Sequence, residues 1–220
     1  MTTTGNLPGT DAARHGRGDA DLTIMLAAHD AFRRDLTRLV RTASAADLSD
    51  PARRRSVAAG WELFKHQLHL HHTAEDEVIW PALRPRLAHS EHALSVLAAM
   101  EEEHERIDPL LAAVDTAFAQ RGDNSLADVI DALVSTLTGH LGHEERDGLP
   151  LIGVALTAAE WRRVGFKIAR RNGMSEGGEM FAWILDGADS NTAALRTLPP
   201  PLRLLYKAVW KPRLDKTPRW

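Results

Sequence analysis

From Asp21 to about Val154, apolar residues recur at alternating steps of three and four, and no stretch alternates apolar and polar residues as a strand would. Four long helices follow. Helix A covers about 21–43 and carries Leu22, Leu26, His29, Phe32, Leu36 and Val40 on one stripe. Helix B starts at Ser49-Asp50-Pro51 and ends before Pro81, with Val57, Trp61, Phe64, Leu68, His71, Glu75 and Val78. Helix C starts near Ser90, passes an expected kink at Pro109 and stops at Gly122. Its stripe is Ala93, Leu97, Met100, His104, Ile107, Leu111, Val114 and Phe118. Helix D runs from about Ser125 to Gly148, with Pro150 beyond, and offers Ile130, Leu133, Leu137, His140 and Glu144. Each stripe is the narrow seam of a packed bundle helix. The short B–C and C–D connections favour antiparallel neighbours, so the expected fold is all-α, an antiparallel up-down four-helix bundle.

The flanks read differently. Residues 1–18 are Gly- and Thr-rich and are expected to form a flexible arm, leaving 19–154 as the bundle. Thr157-Ala158-Ala159-Glu160 is a capping-box start for a further helix ending near Asn172-Gly173, so 155–220 is expected to add C-terminal helices. Between Arg196 and Trp220 stand seven Lys or Arg against one acid, Asp215, with Trp210 and Trp220 among them. An amphipathic anchor on anionic lipid is one reading of this tail. Packing of its apolar residues on the bundle is the favoured one.

Composition narrows the chemistry. The 220 residues include no Cys, which excludes disulfides, thiolate nucleophiles, Cys-type zinc sites and Cys-ligated iron–sulfur clusters. A net charge of −3 gives no reason to expect a nucleic-acid partner. The N-terminus has no apolar core of a secretory signal and no run spans a bilayer, so a cytoplasmic protein is expected. Against this, 11 His stand out, nearly as many as all Phe, Trp and Tyr together.

Four of those histidines interrupt the seams where packing asks for a hydrophobe. Helix A has His29, B has His71 and Glu75, C has His104, and D has His140 and Glu144. Two unpartnered carboxylates in one core would cost several kcal/mol each. A pair of divalent metals removes that cost, since neutral imidazoles and carboxylates can wrap it. His and Glu four apart lie one turn apart on one face and can reach one centre. An internal repeat supports this: His71 to Pro81 and His140 to Pro150 share the frame His, three residues, Glu, five residues, Pro. Each frame follows a helix with one core histidine, which suggests a duplicated helix pair around two metals.

Together Ala28-His29-Asp30, His71-x-x-x-Glu75 before Val78-Ile79-Trp80-Pro81, Glu103-His104-Glu105 and His140-x-x-x-Glu144 resemble the hemerythrin-like, or HHE cation-binding, family over roughly residues 20–152. The resemblance implies a non-haem di-iron centre, oxo- or hydroxo-bridged, held by His29, His71, Glu75, His104, His140 and Glu144. Manganese or zinc would also suit these donors. The oxygen-carrying members have a second histidine one turn from that of helix C, and an Asp five residues after that of helix D. Here Met100 and Asp108 flank His104 at four residues, and helix D uses Glu144. The set therefore resembles the four-histidine, two-glutamate version of bacterial proteins linked to nitric-oxide stress and iron–sulfur repair. It implies O2, hydrogen peroxide or NO as ligands and a role in stress protection, catalase-like or NO-handling. A non-catalytic oxygen or iron sensor, or an iron store, is the alternative, and no separate general acid or base stands out.

A lone His29 or His104 would more often be a hydrogen-bonded core group; the six together are not explained that way. His66, His69, His72, His89, His92 and His143 are expected at solvated or rim positions, although His72 and His143 lie next to or one turn from a ligand and could support it from behind. Glu101 and Asp108 are read as surface charge. Asp76, Glu77, Glu145 and Asp147 form a charged rim, from which Asp76 or Glu145 could orient a ligand imidazole.

Overall fold

A computed structural model describes residues 20–45, 50–119, 125–187 and 193–220. The expected arm over 1–18 and the stop at Gly122 lie outside the described residues. Among the described residues there are helices and no strands. Four long helices build the bundle: α1 (Thr23–Ala45), α2 (Pro51–Ala74), α4 (Glu91–Ala119) and α5 (Ser125–His143), with the short α3 (Trp80–Leu83) between α2 and α4. Asp50 caps α2 by accepting from the amides of Ala52 and Arg53, and Pro51 opens the first turn, where its missing N–H costs nothing. His29 meets His71 while Phe32 meets Phe64, so α1 and α2 run antiparallel. Trp61 bonds Asp115 while Asp76 bonds His104, so α2 and α4 do too.

Helices B and D were expected to end before their prolines. They do not. Each inserts a five-residue π-helical turn, Glu75–Ile79 and Glu144–Gly148, and continues, through α3 in one case and α6 (Leu149–Ala155) in the other. In both, the residue before the proline donates its amide to the carbonyl of the motif glutamate, Trp80 to Glu75 and Leu149 to Glu144. A proline ring in an α-helix collides with the carbonyl four residues back; the wider turn makes room for it and lets the helix go on. The same device precedes Pro212, where Tyr206–Trp210 is π-helical and the amide of Lys211 reaches Tyr206.

Beyond the bundle, α7 (Ala158–Ile184) starts at a complete capping box between Thr157 and Glu160. Gly173 interrupts it with φ 79° and ψ 172°, a backbone conformation open essentially to glycine alone. Then come α8 (Ala193–Thr197), α9 (Pro200–Leu205) and α10 (Lys211–Asp215). Tyr206, Trp210 and Leu214 of this tail are buried, while Leu204 and Val209 stay exposed. No helix among the described residues is long and apolar enough to cross a membrane.

The apolar residues form two clusters rather than one. The larger contains Phe32, Phe64, Leu68, Ile107, Leu137 and Trp183; the smaller contains Val78, Trp80, Leu97, Met100, Leu149 and Ile152. Along α2, α4 and α5 the passage from one cluster to the other falls at the polar intruders. Leu68 precedes His71 and Glu75, which precede Val78; Met100 precedes His104, which precedes Ile107. The intruders therefore form one polar layer with oil on both sides.

Candidate metal centre

The structure brings all six sequence-predicted residues into that layer. Ligand atoms of His29, His71, Glu75 and Glu144 lie within 4.8 Å of one another, and so do those of His72, His104 and His140. His29 Nε2 stands 3.1 Å from Glu144 Oε2. The oxygens of Glu75 face opposite ways, Oε1 at 3.1 Å from His71 Nε2 and Oε2 at 3.4 Å from His104 Nε2. Glu75 thus spans the two groups. The π turns start at Glu75 and Glu144 themselves, so the proline device and the buried carboxylates occupy the same place in both halves of the repeat.

Inside the layer, polar atoms are left without partners. The Nε2 atoms of His29, His71, His72, His104 and His140 and both oxygens of Glu75 and Glu144 are buried and make no hydrogen bond. Any one of these would cost on the order of 1–3 kcal/mol in a core. Their convergence on one space is the arrangement a cation would satisfy, and a donor set of nitrogen and oxygen without sulfur suits iron, manganese or zinc.

The outward sides of the rings are satisfied by carboxylates. His29 Nδ1 pairs with Glu145 at 2.8 Å, His104 Nδ1 with Asp76 at 2.9 Å, and His140 Nδ1 with Glu103 at 2.9 Å. A proton held on Nδ1 leaves the Nε2 lone pair aimed inward, which is the tautomer a metal needs. Arg33 clamps Glu145 at 2.7 Å, and Glu103 also meets His143 Nδ1 at 2.8 Å. Asp76 and Glu145 were open candidates for this work. Glu103 was not singled out for it, because only the packing of α4 against α5 brings it to His140.

Electrostatics follow from burial. Burial pushes the Glu75 carboxyl up to about 8, and the nearby charge of Glu144 adds to the push. Burial also holds His71 and His72 well below the ordinary imidazole value, reinforced by the other rings. For His104 burial works against protonation, but its contacts with Asp76 and Glu75 win and raise it to about 10. The proton this favours on His104 faces Glu75, where a bound cation would take its place.

Two expectations need correction. His72, expected at the rim, is buried with its ring stacked on His104 at 3.9 Å, because the layer is wide enough at this level to take a second imidazole from α2. Its place beside His71 was the available signal. Leu26, assigned to the helix A seam, is exposed, the seam there being filled by Ala28 and Ala31. His143, partly exposed beside Glu103, lies at the rim, as expected. Among the others, Glu101 pairs with Arg84 and Asp108 is exposed, as expected of surface charge.

The family model for the hemerythrin HHE cation-binding domain matches residues 20–152. The chain belongs to the hemerythrin HHE cation-binding family. Its matched region ends within α6, so α7 to α10 are additions to the hemerythrin-like bundle. No curated protein and no solved structure matches the chain. Membership together with the buried His/Glu cluster makes this a cation-binding domain.

Proposed function

We propose that the polar layer holds two iron ions, with His29 and His71 toward one, His104 and His140 toward the other, and Glu75 and Glu144 shared. The reading is carried by nine buried, unpartnered ligand atoms converging from four helices. Bound there, an iron pair supplies redox chemistry toward O2, hydrogen peroxide or NO, and the biological role that fits is protection against oxidative or nitrosative stress in the cytoplasm. The chain's own work is to hold and shield. Glu145, Asp76 and Glu103 fix three imidazoles in one tautomer. The two apolar clusters exclude water from either side of the layer. Manganese or zinc would fit the same donors. The small oxidants are the proposed partners, with no nucleic acid among them.

Metal content and the visible spectrum of protein purified under air test this reading, followed by peroxide and NO consumption. Two irons per chain, the absorption of a coupled ferric pair and rapid turnover are expected. Two irons without turnover, with ligand-dependent protection of the tail, would make it a sensor or store instead. One metal or none in a folded bundle, with stability unchanged in His71→Ala, overturns the reading.

A further inference from the structure

The proposed six-ligand set leaves one donor in the layer unused. His72 is 8% exposed, and its Nε2 makes no hydrogen bond. Its ring lies nearly parallel to His104, centroids 3.9 Å apart, and edge-on to His140 at 5.4 Å. Stacking accounts for the faces of the ring but leaves the nitrogen without a partner, at a cost a core does not tolerate for packing alone. His72 belongs to a group with His104 and His140 whose ligand atoms lie within 4.8 Å of one another.

The internal repeat shows that packing does not ask for histidine here. Aligning His71 with His140 and Glu75 with Glu144 puts His72 opposite Leu141, which is fully buried in the larger apolar cluster. One half of the duplication fills this position with a hydrophobe and the other with a buried, unpartnered imidazole.

We propose that His72 is a fifth histidine ligand, so that one metal is held by His72, His104 and His140 and the other by His29 and His71. This rests on the two-metal reading and breaks the symmetry the repeat would otherwise impose: three imidazoles face one ion and two face the other.

The test uses the full chain loaded with iron-57, the His72→Leu variant, which installs the residue of the other half, and the His72→Gly variant with and without free imidazole. Wild-type protein is expected to give two resolved Mössbauer doublets of equal area. His72→Leu is expected to bind one of its two irons at least about tenfold more weakly and to change one doublet only. Free imidazole is expected to restore that doublet in His72→Gly. If His72→Leu fails to fold, the wild-type doublets and the imidazole rescue decide. A single wild-type doublet, or a folded His72→Leu that keeps both irons and both doublets unchanged, overturns the assignment while leaving the two-metal reading intact. Weaker affinity with both doublets unchanged and no imidazole rescue also overturns it and makes His72 a packing neighbour of His104. A wild-type chain that takes up no metal is a different failure, because it removes the two-metal reading itself.

Discussion

Trp183 donates its indole N–H to Asp35 Oδ2 at 2.7 Å, a bond buried between α7 and α1. The other oxygen of Asp35 accepts from Arg34 and Arg38, each at 2.9 Å. Arg34 in turn donates to the carbonyls of Trp183 at 3.0 Å and Asp186 at 2.9 Å. The Trp183 ring packs on Phe32 at 4.8 Å, and Phe32 packs on the ring of His71 at 5.1 Å. A residue beyond the family-matched region thus stands one side chain away from the metal layer.

Asp35→Ala would leave the buried Trp183 N–H unpaired and Arg34 without its carboxylate, while Arg38 keeps Asp186. Removing one partner of a buried charged cluster costs about 3–5 kcal/mol. Urea denaturation is expected to show that loss in a single transition, with bundle and extension unfolding together. Two separated transitions in the wild type would contradict this coupling.

The tail is seated through two glycines. A Cβ on Gly60 would come 2.5 Å from the ring of Trp220, and one on Gly178 would collide with the indole of Trp210. Gly178→Ala is therefore expected to lift Trp210 off α7, at a cost of roughly 1–3 kcal/mol for overpacking. Limited trypsin digestion should then cut after Lys207 and Arg213 faster than in the wild type. Unchanged digestion would show that the tail absorbs the methyl group elsewhere.

The four seams, the helix order and the repeat were legible because a 3.6-residue period and a short motif are local properties. So were the six His and Glu that meet in the polar layer, since a Glu or His on an apolar stripe stands out against its neighbours. What could not be read was how the chain gets past its prolines. Pro81 and Pro150 are stop signals in an α-helix, and only a change of hydrogen-bond register lets Trp80 and Leu149 continue. His72 was misplaced because one helical position covers about 100° of arc, and a bundle this crowded with imidazoles buries a position an apolar seam would expose. Glu103 reads as surface charge beside His104 until α5 is laid against α4.

Acid should weaken the junction of α6 and α7 through one group. The Arg86 guanidinium beside Glu160, with the Thr157 amide, lowers its carboxyl from 4.5 to about 2. A group depressed on folding contributes stability that is present above its unfolded value and is lost as pH falls through the folded one. The difference in melting temperature between wild type and Glu160→Ala is thus expected to be largest at neutral pH and to shrink as pH drops from 4.5 towards about 2. A difference that stays constant across that window would show that helix capping, not charge, is what Glu160 supplies.

Glu75 has the opposite sign, and metal decides which state is seen. Burial raises its carboxyl from 4.5 to about 8, so the metal-free folded chain holds a proton that the unfolded chain releases. A group raised on folding contributes most below its unfolded value, and that contribution is lost as pH climbs through the folded one. In chelator, wild type should therefore lose stability relative to Glu75→Gln between pH 4.5 and about 8, because glutamine cannot ionise in the core. At pH values above that window the variant is expected to be the more stable chain, by on the order of 1–4 kcal/mol. Adding iron should reverse the order, since a cation satisfies the Glu75 carboxylate and glutamine binds it poorly. Denaturation curves of both chains, with chelator and with iron, measure both halves of this claim. If Glu75→Gln is the less stable chain at high pH without metal, the carboxylate is structural, and its burial needs a partner other than a cation.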